Sequence, residues 1–132
     1  MRLNQVTVPA RDIERSIAFY QTLGLRLIVQ DVHYARFELP DGEATFSIHS
    51  TEDAGDPASG PSIYFECDDL DARVAALKAK GIVFDNDPTD QSWLWREAWL
   101  RDPAGVKLCL YKAGEARRYP PWRLKDQSDC SI

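Results

Sequence analysis

Several side chains in this sequence could do chemistry on a small molecule. His49 could act as a general base, because an imidazole changes its charge near neutral pH. Glu66 could serve the same acid–base purpose. Trp93, Trp95 and Trp99 alternate along one predicted strand, which suits an aromatic wall for a flat ligand in a cup. The same pattern also suits a buried core or a dimer interface.

Charged and thiol side chains near these residues have two interpretations each. Arg101 or Lys107 could hold an anionic ligand, and arginine offers a bidentate fork for that purpose. Alternatively, Glu66, Glu97 and Arg101 could neutralise one another in a partly buried cleft. Cys109 would act as a nucleophile only with a base beside it, and otherwise behaves as a small buried hydrophobe.

An internal repeat shows how these residues are positioned. Residues 5–25 align without a gap on residues 62–82, at an offset of 57, with Asp12 on Asp69 and Gly24 on Gly81. A second echo relates residues 39–42 to residues 102–105 at an offset of 63. A duplicated unit of this kind predicts a ligand site between the two copies.

Each copy has the pattern of a strand, a helix and three more strands. In the first copy, Asp12 is a suitable helix N-cap, Ile17 and Tyr20 lie on one apolar face, and Gly24 ends the helix. In the second copy, a helix is predicted over residues 69–80. The predicted strands span residues 3–8, 25–29, 34–39, 44–49, 62–67, 82–84, 93–101 and 106–111.

These elements predict an α+β fold of two tandem βαβββ modules, residues 1–50 and 61–112, within one domain of residues 1–112. Residues 51–60 form a linker and residues 113–132 a C-terminal extension. Side by side, the two sheets would make a curved eight-stranded half-barrel with helices outside and a concave cup inside. Strand alternation predicts the residues that face the cup. They are Gln5, Thr7, Ser47, His49, Ser62, Tyr64, Glu66, Glu97, Trp99, Arg101, Lys107, Cys109 and Tyr111.

Composition limits the partners and the compartment. The net charge of −5 argues against binding to nucleic acid, which requires a basic surface. No apolar run approaches the ~20 residues needed to span a bilayer. The three cysteines, Cys67, Cys109 and Cys130, form no disulfide or zinc pattern, so we expect a cytoplasmic protein. An open cup with exposed sheet edges predicts a homodimer.

The repeated motifs resemble the vicinal oxygen chelate superfamily, which includes glyoxalase I, extradiol dioxygenases, fosfomycin resistance enzymes and bleomycin resistance proteins. The resemblance covers residues 1–112 and implies the same fold. For the reaction it is not specific, because this fold hosts lyases, dioxygenases and plain drug-binding proteins. It is carried by the motifs LNQV at 3–6, DIERS at 12–16, FY at 19–20, LGL at 23–25, DDLD at 68–71 and RDPAG at 101–105.

The resemblance implies four metal-ligand positions, which are Gln5, Ser47, Ser62 and Cys109 in this sequence. Glutamine occurs at the first position in some glyoxalases, but the family uses glutamate or another ligand at the second, histidine at the third and glutamate at the fourth. Serine hydroxyls and a neutral amide are poor ligands for a divalent ion. The sequence therefore predicts no cofactor and no metal at the usual site.

Two functions follow from the sequence. The first is a metal-free small-molecule-binding protein of the glyoxalase/bleomycin resistance type, which holds a planar polar ligand in its cup by sequestration or with acid–base help from His49 or Glu66. The alternative is an enzyme, a metal-dependent glyoxalase-like lyase or a dioxygenase with rearranged ligands. Metal content separates the two.

Overall fold

The computed structural model describes residues 1–52 and 55–125, so Cys130 lies outside the described residues. It confirms an α+β fold of two tandem βαβββ modules. The first module contains β1 (Gln5–Ala10), α1 (Ile13–Leu23), β2 (Arg26–Gln30), β3 (Tyr34–Glu38) and β4 (Thr45–Ser50). The second contains β5 (Ile63–Glu66), α2 (Leu70–Ala79), β6 (Thr89–Asp90), β7 (Arg96–Arg101) and β8 (Lys107–Lys112).

Helix α1 begins and ends where its capping residues predict. The Asp12 side chain accepts a hydrogen bond from the backbone N–H of Arg15, which satisfies one of the free donors of the first turn. Gly24 ends the helix in the left-handed conformation, at φ 108°, where a side chain would be strained. Ile17, Tyr20 and Leu23 are buried on the inner face, as their spacing predicts.

The second module follows the same plan with a weaker N-cap. Asp69 precedes α2, but its side chain makes no capping hydrogen bond. Leu70, Val74 and Leu77 are buried against the sheet. The helix is therefore held by the packing of its apolar face rather than by its cap.

The eight strands form two mixed sheets of four, in the orders β1-β4-β3-β2 and β5-β8-β7-β6. In each sheet the first and last strands of the module run parallel, and the other neighbours run antiparallel. Strands β1 and β5 are edge strands of their own sheets. The two concave surfaces are thus carried by separate sheets.

One apolar core joins the two modules on the helix-covered sides of the sheets. The rings of Phe46 on β4 and Phe65 on β5 lie 5.8 Å apart. The Tyr20 hydroxyl of α1 donates a 2.6 Å hydrogen bond to Asp102, in the turn between β7 and β8. Tyr20 is fully buried, and its pKa is raised by burial first and then by the Asp102 carboxylate.

Two of the predicted strands are wrong. Residues 82–84 form no strand, and only a single bridge joins Phe84 to Leu100. The strand predicted over residues 93–101 begins only at Arg96, because Trp93 to Trp95 belong to a turn in which Leu94 has a φ of 69°. A left-handed residue breaks the pleat, so the alternation of the three tryptophans does not continue along one strand.

Neither helix of residues 1–52 and 55–125 combines the length and the apolar character that a membrane-crossing helix requires.

The residues assigned from sequence to the C-terminal extension include a short 3-10 helix, Gly114–Arg117, which contacts the second module. The Trp95 indole donates a 3.4 Å hydrogen bond to the carbonyl of Ala116. The domain bounds 1–112 stay a prediction.

Candidate functional site

Each sheet has a face away from its helix, and we call these the first and second cup faces. Ala35 and Phe37 of β3 are fully buried on the helix side, so Tyr34 and Arg36 lie on the opposite face. The first cup face, on the sheet of β1 to β4, carries Gln5, Thr7, Tyr34, Arg36, Glu38, Thr45, Ser47 and His49. The second, on the sheet of β5 to β8, carries Tyr64, Glu66, Glu97, Trp99, Arg101, Lys107, Cys109 and Tyr111.

A network of hydroxyl and amide groups covers the first cup face. Its centre is Ser47, which is fully buried and accepts a hydrogen bond from the Gln5 side-chain amide. The Thr45 hydroxyl donates to the Gln5 carbonyl oxygen, which fixes the orientation of that amide. The Tyr34 hydroxyl lies 2.7 Å from the Ser47 hydroxyl, and Arg36 Nε donates to the Tyr34 oxygen at 2.9 Å.

These contacts change the acidity of Tyr34. Its hydrogen bond with Ser47 is the largest influence and lowers the pKa of the phenol below its ordinary value. The hydrogen bond from Arg36 and the charge of its guanidinium act in the same direction. Tyr34 and Arg36 were not among the site residues predicted from sequence, although the alternation of β3 places them on this face.

Aromatic rings cover the second cup face. Tyr64 is 46% exposed and packs edge-on against three rings, those of Trp95, Trp99 and Tyr111, with centroids 5.5 to 5.8 Å away. Trp95 and Tyr111 are stacked at 4.6 Å. Burial raises the pKa of both Tyr64 and Tyr111, so these phenols stay neutral near pH 7.

A buried carboxylate holds two of the indoles in place. Glu97 is only 3% exposed, and it accepts hydrogen bonds from Trp93 Nε1 at 2.7 Å and from Trp99 Nε1 at 2.9 Å. The turn that ends the predicted strand early thus brings Trp93 onto the same carboxylate as Trp99. Glu97 forms no ion pair among the described residues, so its hydrogen bonds from the two indoles are the contacts that hold it.

The other predicted site residues are placed singly. Arg101 pairs with Asp85, at 3.5 Å, so the mutual neutralisation expected with Glu66 and Glu97 is wrong. His49 and Glu66 are exposed side chains at strand ends. Ser62 directly precedes β5 and is half-buried.

Cys109 lies beneath the aromatic rings and does not suit nucleophilic chemistry. It is fully buried and is the register partner of both Tyr64 and Trp99. Burial, and next the charge of Glu97, raises the pKa of its thiol to about 12. A thiol with this pKa is almost wholly protonated at pH 7, and the thiolate is the form that attacks or binds a metal.

The four family ligand positions do not fit a divalent ion in this chain. The hydroxyl of Ser47 and the amide of Gln5 already bind each other, and Cys109 stays protonated. Within residues 1–52 and 55–125, no group of three or more histidine, cysteine, aspartate or glutamate side chains is arranged to hold a metal.

A cleft of about 760 Å³ lies between the two modules, along the edge strands β1 and β5. Of the predicted site residues, Gln5, Tyr64 and Glu66 line it. Its remaining wall includes apolar side chains such as Val6 and Phe65. No hydrogen bond, ion pair or ring contact between described residues links the first cup face to the second.

Comparison with known proteins supports the fold and the family. Residues 2–110 match the model of the Glyoxalase/Bleomycin resistance protein/Dioxygenase superfamily. The protein YraH of Bacillus subtilis (strain 168) is 28% identical over 128 residues, which cover 85% of this chain and 98% of the relative.

Solved structures give the same picture. A bleomycin resistance determinant encoded on the transposon Tn5 has a TM-score of 0.73 at 24% identity, with 86% of this chain and 99% of that chain covered. A bleomycin-binding protein complexed with bleomycin has a TM-score of 0.69 at 25% identity, with 85% and 98% covered. TnmS3, an antibiotic binding protein from Streptomyces sp. CB03234, has a TM-score of 0.73 at 24% identity, with 86% and 97% covered.

Proposed function

Because this chain belongs to the Glyoxalase/Bleomycin resistance protein/Dioxygenase superfamily, we propose that it binds a planar, polar small molecule in a cup that a homodimer completes from the first and second cup faces. The observation that carries this proposal is the pairing of two unlike surfaces. The first cup face offers hydrogen-bonding groups, and the second offers a wall of aromatic rings. A flat ligand with polar substituents satisfies both kinds of surface.

Similar proteins support this choice of ligand class. Three structural neighbours are described as a bleomycin resistance determinant, a bleomycin-binding protein and an antibiotic binding protein. We propose the same kind of role for this chain, with sequestration as the mode of action. His49 and Glu66, the candidate acid–base groups, are exposed and not oriented by any hydrogen bond to another described residue, which favours binding over catalysis.

We further propose that the chain acts without a metal, since a buried serine and a protonated thiol stand at two of the family ligand positions. Elemental analysis after expression with Ni, Zn, Mn and Fe tests this point. One tightly held ion per chain would favour the metal-dependent lyase or dioxygenase instead.

The free thiols Cys67 and Cys109 support a cytoplasmic location.

Removal of a wall residue or a polar anchor tests the binding proposal. In a screen of aromatic and heterocyclic compounds followed by tryptophan fluorescence, Trp99→Ala should weaken a true ligand by about 1 to 3 kcal/mol if the ring stacks on it. His49→Ala should weaken polar ligands and leave folding intact, because His49 is exposed.

Trp122→Ala is the matched control, since Trp122 is 56% exposed and lies in the extension. If Trp99→Ala and Trp122→Ala change the affinity for every ligand equally, the aromatic wall is not the binding surface. If His49→Ala unfolds the protein, the assignment of the first cup face is wrong.

A homodimer should complete the cup. The contacts that join the modules lie on the helix sides, so the two cup faces point away from the shared core. Tyr64, Trp93 and Leu94 leave 45 to 54% of their surface exposed there, which a second subunit could cover. Light scattering at micromolar concentration should give twice the 15.0 kDa chain mass, and a monomer at that concentration would refute this assembly.

A further inference from the structure

We propose that Tyr34 and Arg36 form an oxyanion site, in which the phenol and the guanidinium together bind a carboxylate or phenolate oxygen of the ligand. This inference rests on the proposed function, because both side chains lie on the first cup face. It goes beyond that proposal because it assigns the ligand a negative charge and identifies two side chains that bind it.

The direction of the hydrogen bonds leaves the Tyr34 proton free. A serine hydroxyl has one proton, and the Ser47 oxygen already accepts a hydrogen bond from the Gln5 amide. Either hydroxyl could donate across the 2.7 Å that separates Ser47 from Tyr34. Because Ser47 is fully buried and a buried hydroxyl proton needs an acceptor, we assign its proton to the Tyr34 oxygen. Arg36 Nε donates to the same oxygen at 2.9 Å. The phenol oxygen therefore accepts two hydrogen bonds, and its own proton is available to a ligand.

The orientation of Gln5 supports this assignment. Thr45 donates its hydroxyl proton to the Gln5 carbonyl oxygen, so the amide nitrogen of Gln5 is turned towards Ser47. The series of donors runs from Thr45 and Gln5 through Ser47 to the phenol of Tyr34. Two of the four family ligand positions thus hold a tyrosine in place rather than a metal.

Arg36 supplies a positive charge that no carboxylate neutralises. No aspartate or glutamate oxygen among the described residues lies within the 4.0 Å of an ion pair with its guanidinium. In hydrogen bonds to other described residues the guanidinium uses Nε alone, and its carbon lies 5.4 Å from the centre of the Tyr34 ring. Both Nη groups can donate to an anion, which is the geometry that arginine favours for planar oxyanions.

Two carboxylates and two histidines lie on the strands and the turn next to Tyr34 and Arg36. His49 is the register partner of Tyr34 on β4, and Glu38, at the other end of β3, is exposed and is the register partner of Thr45. Asp31 and His33 belong to the turn between β2 and β3, where the Asp31 carboxylate accepts from the backbone of His33. None of these carboxylates contacts the Tyr34 phenol or the guanidinium through a hydrogen bond or ion pair that the structure shows.

Four small aromatic probes test the site on the full chain. Benzoate and 4-nitrophenolate carry the oxyanion, benzamide is the neutral isostere and benzamidinium is the cationic one. Binding is followed by NMR through the ring carbon of labelled tyrosine that bears the hydroxyl and the Nε–H of labelled arginine. We expect benzoate to bind about tenfold more tightly than benzamide, as a charge-assisted hydrogen bond predicts, and to shift the Tyr34 and Arg36 signals.

Tyr34→Phe should weaken the binding of benzoate about tenfold and that of benzamide less, because the phenol donates a stronger, charge-assisted hydrogen bond to the anion. Arg36→Gln is the second variant. It should likewise weaken the binding of the anions more than that of benzamide. Tyr119→Phe is the matched control, since Tyr119 also lies beside arginines, Arg118 and Arg123, but is exposed and belongs to the extension. Thermal unfolding checks that each variant is folded. The NMR shifts of the wild-type protein test the site even if a variant does not fold.

The outcomes separate the two proposals. The oxyanion site is refuted if benzamide or benzamidinium binds as tightly as both anions, or if folded Tyr34→Phe binds benzoate like the wild type. A preference for only one of the two anions decides between a carboxylate and a phenolate ligand. If neutral compounds bind at Trp99 and the anions bind no more tightly than the neutral compounds, the proposed function survives and the oxyanion site is refuted. If no compound binds either cup face, both fail.

Discussion

Replacement of Asp102 by alanine should lower the free energy of unfolding by about 3 to 5 kcal/mol, because three buried donors lose their acceptor at a cost of about 1 to 3 kcal/mol each. One carboxylate oxygen accepts from the Tyr20 hydroxyl at 2.6 Å. The other accepts from the backbone N–H groups of Ala104 and Val106, both at 2.9 Å. Asp102 therefore folds its own turn and also ties the first module's helix to the second module.

Urea unfolding measures this effect, and Asp41→Ala is the matched control. Asp41 belongs to the corresponding turn of the first module, but its side chain is exposed. Its replacement should stay within about 0.5 kcal/mol of the wild type, as is usual for surface positions. If Asp102→Ala costs no more than Asp41→Ala, the Tyr20–Asp102 contact does not hold the modules together.

Replacement of Glu97 by alanine should lower the free energy of unfolding by about 2 to 4 kcal/mol, because the indole N–H groups of Trp93 and Trp99 lose their shared acceptor. It should also release the two indoles from their fixed orientations. Near-ultraviolet circular dichroism of the tryptophans should then weaken in the folded variant. A protein that lacks this carboxylate should bind planar ligands less tightly, since the aromatic wall is no longer preorganised.

Glu66→Ala is the control for this prediction. Glu66 lies on the same cup face and on a strand of the same sheet, but it is exposed and has no such hydrogen bonds. We expect its replacement to leave stability and the tryptophan circular dichroism unchanged. Equal stability and equal spectra for the two variants would show that Glu97 does not position the indoles.

The repeat in the sequence predicted the architecture because it repeats the residues that form local structure. Asp12 and Gly24 mark the ends of α1 by chemistry that involves only neighbouring residues. Asp69 stands at the same place in the second copy without a capping hydrogen bond, so a shared residue type did not guarantee a shared contact.

The strand that carries the tryptophans was wrong for a physical reason. The alternation of Trp93 and Trp95 suits a pleat, but Leu94 adopts a positive φ and turns the chain before Arg96. The turn brings the indoles of Trp93 and Trp99 onto one buried acceptor, Glu97. A contact of this kind depends on the fold and cannot be read from spacing.

The candidate site was predicted in outline only. Alternation placed Ser47, Tyr64 and Trp99 on cup faces, because one buried face fixes the register of a strand. Tyr34 was missed because the sequence gives no sign that a buried serine would direct its proton to that phenol. The division of the cup between two separate sheets also follows from how the modules pack through their helix sides.

The central claim is that a planar ligand binds against the aromatic wall of the second cup face. Fluorine NMR of protein labelled with 5-fluorotryptophan tests it most directly, because the chain has four tryptophans and three of them belong to or adjoin this wall. A ligand should shift the signals of Trp95 and Trp99 and leave that of Trp122 in place. A ligand that binds with shifts at Trp122 alone, or with no shift at Trp95 and Trp99, would contradict the account.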